Sequence, residues 1–242
     1  MRDEIKNLLL ALKLRGLLAV LPEELARAEK ESPGYEAFLE RLLQVEHETQ
    51  QERFMGYRIE RAAIPEQWSL STFPWQKQPG ADRRVIEQLA TLDFVRRGDN
   101  VVLIGSTGVG KTGIASALLL RALHVGMRGL FIKAQDLFDE VYASLADRGT
   151  RRLLDRLVRY DLLLIDEMSY LNLRPEQTNI FFQLMEERHR TKRTTIITTN
   201  LDYDDWYEFL GRKDCVKALL DRTRERCVTI RIDGPSLRAQ TG

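Results

Sequence analysis

The sequence predicts an α/β domain, in which helices cover a parallel sheet, preceded by a small helical region. Three observations carry this prediction. Five short apolar runs rich in β-branched residues alternate with helical segments, a glycine-rich motif follows the first run, and two acids follow the third. Near-continuous apolarity is typical of strands that are buried on both faces of a parallel sheet.

Residues 1–62 are predicted to form the small helical region. Apolar side chains recur at helical spacing in two stretches, Ile5 to Leu12 and Phe38 to Val45. Pro22 and the segment Ser32-Pro33-Gly34 are predicted to break or cap these helices. The region holds 10 Lys and Arg against 12 Asp and Glu, so its role stays open between a contact with DNA, a contact with a protein partner and a purely structural function.

Residues 63–242 are predicted to form the second domain, which begins with an anchored loop up to Gly80. Prolines in this loop disfavour regular structure, whereas its large aromatic side chains need somewhere to bury: Trp68, Phe73 and Trp75. The strands that follow are predicted at residues 101–104, 129–132, 162–165, 194–198 and 228–232, and a helix at 114–123.

A phosphate-binding loop is predicted directly after the first strand, at Gly105-Ser106-Thr107-Gly108-Val109-Gly110-Lys111-Thr112. Its glycines let the backbone approach phosphates, so that successive N–H groups and the N-terminus of the next helix face the anionic oxygens. Lys111 is expected to bridge the β and γ phosphates of ATP. The Thr112 hydroxyl is expected to bind Mg²⁺.

Two adjacent carboxylates, Asp166 and Glu167, follow the third apolar run. Such acids are costly beside a buried strand unless a cation is bound there. Asp166 is therefore predicted to hold Mg²⁺, and Glu167 to activate the attacking water. Asn200, at the end of the fourth strand, is predicted to contact the γ-phosphate or this water, with a turn-forming role as the alternative.

Together these segments resemble the AAA+ ATPases of the DnaC/IstB type, and most closely IstB, the transposition helper of insertion sequences. The resemblance spans roughly residues 60–238. It rests on the phosphate loop, Leu162 to Leu171, Thr195 to Leu201, Leu219-Leu220-Asp221-Arg222 and the closing segment Ile230 to Arg238.

The resemblance implies a P-loop NTPase core of the AAA+ ASCE class, with strand order 5-1-4-3-2. The sequence departs from many AAA+ proteins in having only a short segment after strand five, so we expect no C-terminal lid. The resemblance also implies self-association into an ATP-dependent oligomer whose active sites are shared between neighbouring copies. By the family pattern Asn200 is the sensor, and Arg222 reaches the next subunit's γ-phosphate, with a surface ion pair as the alternative for Arg222. The Pro65–Pro79 loop is the candidate adenine pocket.

The resemblance further implies double-stranded DNA and a transposase as partners. Two basic clusters are candidate contacts with the DNA backbone, and ordinary solvated surface is the alternative for each. The first comprises Arg148, Arg151, Arg152, Arg156 and Arg159, between strands two and three; the second comprises Arg188, His189, Arg190, Lys192 and Arg193.

The bulk composition sets broad limits on the class of protein. The net charge is +1, so any nucleic-acid surface has to be local. No apolar run approaches the ~20 residues of a membrane helix, and the acidic start is unlike a signal peptide. We therefore expect a cytoplasmic protein without a membrane partner, in which Cys215 and Cys227 are reduced.

The favoured hypothesis is an ATP-dependent DNA-binding ATPase that assembles on duplex DNA and assists a transposase. The alternative is a DnaC-like loader of the replicative helicase, built on the same ATPase core. A small-molecule kinase is disfavoured because no arginine-rich helical lid is available, and a nucleotide-binding scaffold without turnover is disfavoured by Glu167.

Overall fold

The computed structural model describes residues 3–210 and 226–238. The chain divides into two compact units, residues 1–58 and 59–242. Assignment of DNA or partner contacts to residues 1–62, and of the ATPase role to residues 63–242, stays a prediction. Within the described residues, every helix is too short or too polar to span a lipid bilayer.

The first unit is helical, with α1 at Asp3–Ala11, α2 at Arg15–Glu31, and most of α3, which runs from Tyr35 to Arg61. Four leucines form its small core: Leu9, Leu17, Leu21 and Leu42. Glu46 of α3 is buried, and its carboxylate accepts the Leu17 N–H at 2.9 Å. This bond satisfies one of the donors left free at the start of α2.

The predicted helix break at Pro22 is wrong, because Pro22 lies inside α2. A proline in a helix removes one backbone hydrogen bond. Here Leu17 and Leu21 are buried on the same helix, and this packing outweighs the lost bond. The predicted break at residues 32–34 is confirmed, since Ser32 ends α2 in the left-handed region with φ of 47°.

The second unit contains a five-stranded parallel sheet. Its strands are β1 at Asn100–Gly105, β2 at Gly129–Lys133, β3 at Leu162–Met168, β4 at Thr194–Thr199 and β5 at Cys227–Ile232. The order across the sheet is β2-β3-β4-β1-β5 and all neighbouring pairs are parallel, so the predicted order 5-1-4-3-2 is confirmed.

Helices cover both faces of this sheet. A 3₁₀ turn at Trp75–Lys77 precedes α4 at Arg83–Leu89, α5 at Asp93–Arg97 and α6 at Lys111–His124. These helices pack on one face. On the other face lie α7 at Ala134–Ala146, α8 at Thr150–Val158, α9 at Pro175–Arg190 and α10 at Tyr203–Phe209. Alternate strand residues, such as Val101 and Val102, enter the two separate cores.

The second basic cluster contains one residue that is not available to DNA. Arg188 on α9 is 1% exposed, and its guanidinium donates to the carbonyls of Leu157, Tyr160 and Thr194 and to the Thr195 hydroxyl. Burial lowers the pKa of Arg188 to about 9, so the group stays charged at neutral pH. The predicted DNA contact of Arg188 is therefore wrong. The residue instead joins α9 to α8 and β4.

Replacing Arg188 by Ala is expected to destabilise the second unit strongly, because two buried carbonyls and one part-buried carbonyl lose their donor. We expect a loss of about 3 kcal/mol in the free energy of unfolding, measured by chemical denaturation. The matched control is Arg190→Ala on the exposed side of the same helix, which should change this value by less than about 0.5 kcal/mol. Equal effects of the two substitutions would contradict the structural role of Arg188.

Candidate active site

The phosphate loop joins β1 to α6, and its glycines adopt backbone conformations that other residues rarely reach. Gly108 has φ of 87° and Gly110 has φ of 96°. A Cβ atom at Gly108 would also lie 2.1 Å from the Ser236 Oγ. The loop therefore curves tightly, and Lys111 and Thr112 become the first two residues of α6, where free N–H groups and the helix dipole favour an anion.

The Lys111 ammonium lies over the phosphate loop itself. Its Nζ donates to the carbonyl of Gly105 at 2.7 Å and to that of Ser106 at 2.8 Å. Partial burial lowers the pKa of Lys111, whereas the charges of Asp166 and Glu167 oppose this shift. Lys111 is thus close to the loop backbone and to both acids, as its predicted role requires.

Thr112 and Asp166 meet across the sheet edge. The Thr112 Oγ1 donates to Asp166 Oδ1 at 2.9 Å and lies 3.2 Å from Oδ2. Asp166 is only 2% exposed, and burial raises the pKa of its carboxyl, while the Thr198 and Thr112 hydroxyls lower it. A hydroxyl and a buried carboxylate side by side are an oxygen ligand pair that fits Mg²⁺, which keeps the rest of its shell as water and phosphate.

A β-bulge turns Asp166 and Glu167 toward the same site. Ile165 pairs with Ile197 and Met168 with Thr199, so two residues of β3 oppose one residue of β4. Ile165 and Met168 consequently enter the same core, although residues three apart on a regular strand face opposite sides. Glu167 is in the left-handed region with φ of 59°, which is a strained conformation for a glutamate.

The Thr198 hydroxyl lies between the two acids. It donates to Asp166 Oδ1 at 2.5 Å and accepts the Glu167 N–H at 3.0 Å. The next residue, Thr199, donates to the Met168 carbonyl at 2.6 Å and accepts the Leu201 N–H at 2.9 Å. The ends of β3 and β4 are therefore held together by side chains as well as by the sheet.

Glu167 itself reaches solvent. Its side chain is 57% exposed and forms an ion pair with Lys133, at the end of β2, with 3.5 Å between Nζ and Oε2. Asn200 is exposed at the end of β4. Both residues line the same cavity as the phosphate loop. An exposed carboxylate at this place is open to water, whereas Asp166, which borders the same cavity, is only 2% exposed.

This cavity has a volume of about 640 Å³. One wall is built by the predicted acids and the phosphate loop, and the opposite wall comes from the anchored loop, with Pro65, Glu66, Trp68 and Phe73. The Trp68 ring lies against Gly113 of α6, and the Phe73 ring against Gly110. The loop at residues 65–79 therefore lies beside the phosphate site, where an adenine pocket is expected.

A segment near the end of the chain also borders the cavity, and the sequence prediction did not assign it a site residue. The Leu237 N–H donates to the Gly108 carbonyl at 2.8 Å. The buried Gln78 amide donates to the carbonyls of Val109, at 3.1 Å, and of Pro235, at 3.0 Å. Arg238 lines the cavity, and no carboxylate of the described residues pairs with it. In the sequence, this segment stood out only as part of the closing stretch, Ile230 to Arg238, on which the family resemblance rests.

The sequence profile of the family described as IstB-like ATP binding protein matches residues 7–242. The chain belongs to this family. It is 35% identical over 235 residues to an ATP-binding protein of insertion sequence IS21 from Pseudomonas aeruginosa, with 97% of this chain and 88% of that protein covered. It is 31% identical over 205 residues to an ATP-binding protein of insertion sequence IS5376 from Geobacillus stearothermophilus, with 85% and 81% covered.

Several solved structures share the fold of this chain. The structure of DnaI matches with a TM-score of 0.60 and 22% identity, over 68% of this chain and 90% of that one. The structure of the DnaC helicase loader matches with a TM-score of 0.54 and 23% identity, over 62% and 87%. At these identities the likeness concerns the P-loop NTPase fold alone.

Most predicted site residues of this IstB-like chain lie at one edge of the sheet. The phosphate loop, Asp166, Glu167 and Asn200 surround a single cavity. Arg222 and Cys215 lie outside the described residues. The first basic cluster is on or beside α8, where an extra helix between strands two and three is expected, and all five of its arginines are exposed.

Substituting Asp166 by Asn is expected to separate stability from nucleotide chemistry. The buried charge is removed, while an amide oxygen can still accept from Thr112 and Thr198. We expect the nucleotide-free protein to unfold at an equal or higher temperature, with a gain of up to about 1 kcal/mol, and Mg²⁺ to stop strengthening ATP binding. Thermal unfolding and nucleotide titration with and without Mg²⁺ measure both effects; a clear loss of stability would contradict the burial argument.

Proposed function

We propose that this IstB-like protein hydrolyses ATP, binds duplex DNA and assists a transposase. The observation that carries the ATPase part is the joint placement of Thr112, Asp166 and Glu167 beside the phosphate loop. A buried acid next to a hydroxyl suits a metal ion, and an exposed acid next to it suits a water molecule. A protein that only binds nucleotide has no use for the second acid.

The phosphates are proposed to bind at the start of α6. The loop N–H groups and the helix dipole attract the β and γ phosphates, and Lys111 exchanges its bonds to the Gly105 and Ser106 carbonyls for phosphate oxygens. Thr112 and Asp166 would hold Mg²⁺, which would neutralise charge on the β and γ oxygens. Lys133 and Arg238 add further positive charge to the same cavity, and the Trp68 face offers the adenine ring a stacking surface.

Hydrolysis is proposed to use Glu167 as the base that orients and deprotonates the attacking water. Asn200 would hold the same water or a γ-phosphate oxygen, since it lines the cavity at the end of the neighbouring strand. Arg222 of an adjacent copy is proposed to stabilise the charge that develops during transfer, which is how such arginines contribute in related systems.

Replacing Glu167 by Gln is expected to keep ATP binding and to lower the turnover number by about 10² to 10⁴-fold, because the water loses its base. Steady-state phosphate release and titration with a fluorescent ATP analogue measure the two quantities. The matched control is Glu176→Gln, an acid in the first turn of α9 outside the cavity. Normal turnover in Glu167→Gln would exclude this residue as the base.

DNA binding is proposed to use the exposed face of α8. Arg148, Arg152 and Arg159 pair with no carboxylate among the described residues, which leaves their charges available. Arg151 pairs with Asp155 and Glu187, and Arg156 with Glu140. Exposed ion pairs of this kind contribute only about 0–1 kcal/mol, so they can exchange for phosphate contacts.

The second basic cluster is a weaker part of this proposal. Arg193 pairs with Asp161, whereas Arg190 and Lys192 are exposed at the end of α9 and just after it. Few phosphates per copy would be neutralised, but an oligomer on DNA repeats each contact. The transposase part rests on the relatives, which are named as ATP-binding proteins of insertion sequences.

Replacing Arg152 or Arg159 by Gln is expected to weaken duplex DNA binding with little change in sequence preference. Each lost phosphate contact should reduce the slope of log K against log salt by ~0.9 per copy. Fluorescence anisotropy with labelled duplex and ATP at several salt concentrations measures this slope. The control is Arg84→Gln on α4, an exposed arginine outside the proposed surface. Equal slopes for all variants would contradict the role assigned to α8.

A further inference from the structure

The hydroxyl of Thr198 contacts two acidic residues to which different tasks are assigned: it bonds to the side chain of Asp166 and to the backbone N–H of Glu167. Asp166 is the proposed metal ligand and Glu167 the proposed base. Thr198 is 1% exposed, and its Oγ1 lies 2.5 Å from Asp166 Oδ1 and 3.0 Å from the Glu167 backbone nitrogen. β4, which carries Thr198, lies between β1 and β3 and therefore between the phosphate loop and the acids.

The direction of both hydrogen bonds is fixed by chemistry. An ionised carboxylate can only accept, so the Thr198 hydroxyl gives its single proton to Asp166. The Glu167 N–H can only donate, so it uses a lone pair of the same oxygen. Both bonds form together without competition, because a hydroxyl offers one donor and two acceptor sites.

The backbone at Glu167 needs such a partner. The bulge removes Glu167 from regular pairing with β4, and φ of 59° carries a strain of about 1–3 kcal/mol for a residue other than glycine. A part-buried N–H without an acceptor would add to this cost. Loss of the Thr198 hydroxyl would therefore weaken the bulge that places Glu167 beside Asp166.

We propose that Thr198 is a positioning residue that sets the distance and orientation of the Glu167 carboxylate relative to Asp166 and the phosphate loop. The inference rests on the proposed ATPase function, because the carboxylate that Thr198 positions is the proposed base. Thr198 borders the cavity, but the role assigned to it is the placement of Glu167 and not a bond to the nucleotide. Misplacement of a reacting group by about 1 Å lowers turnover by on the order of 10²-fold. ATP affinity, which depends on the phosphate loop, should change little.

The test compares three substitutions on β4 in the full-length chain. Thr198→Val removes the hydroxyl at nearly constant volume, and Thr198→Ser keeps it. Thr194→Val is the matched control, because Thr194 is equally buried on the same strand and its hydroxyl has no hydrogen-bond partner in the described part of the chain. For each protein the turnover number, the dissociation constant of a fluorescent ATP analogue and the unfolding temperature are measured.

We expect Thr198→Val to lose on the order of 10²-fold in turnover, with ATP affinity within about threefold of the unsubstituted protein. Thr198→Ser and Thr194→Val should keep turnover within about threefold of it. Unchanged turnover in Thr198→Val would overturn the proposal. It would also be overturned if ATP affinity or folding were lost in parallel with turnover, or if Ser failed to restore turnover, because these results indicate a purely structural role. Absence of ATP hydrolysis in the unsubstituted protein would instead refute the proposed function.

Discussion

The hydrogen bond between Thr112 and Asp166 is the contact on which the site depends. It joins the first turn of α6, which follows β1, to β3, although β4 lies between β1 and β3 in the sheet order. Parallel strands place all their carboxyl ends at one edge, so the phosphate loop, the two acids and Asn200 can meet there. If β1 or β3 were reversed, the same residues would lie on opposite sides of the domain.

The site is built at some cost to stability. Asp166 is buried without a directly bonded basic side chain among the described residues, and burial raises the pKa of its carboxyl. Glu167 has a strained backbone, and two glycines of the phosphate loop have positive φ. Such features persist where the surrounding structure holds them in place. Here that structure comprises the buried threonines of β4, the Gln78 amide and the segment at residues 235–238.

Much of this arrangement could be predicted from the sequence, because strong local signals carry it. Apolar β-branched runs gave the strands to within about three residues, and the phosphate loop and the acid pair are recognisable as short motifs. Features that depend on tertiary packing were not predicted from the sequence. Pro22 is typical of a helix break, yet packing of neighbouring leucines keeps α2 intact. Arg188 belongs to a basic run in the sequence, but the fold buries its side chain between α9, α8 and β4.

The role of Thr198 at the site could not be predicted from the sequence either. Threonine is common in strands, so its presence in β4 indicates only a strand; the role comes from the bulge in β3, which has no signature in the sequence. The segment at residues 235–238 likewise reaches the phosphate loop only through the pairing of β5 with β1. These two contacts became visible only when the sheet register was known.

The most direct test of this account is a crystal structure of the protein with Mg²⁺ and a non-hydrolysable ATP analogue. We expect the γ-phosphate beside Lys111, the metal ion in contact with the Thr112 hydroxyl and close to Asp166, and the Glu167 carboxylate facing a water molecule in line with the γ-phosphate. A nucleotide bound elsewhere on the domain, or a metal ion remote from both Thr112 and Asp166, would contradict the central claim.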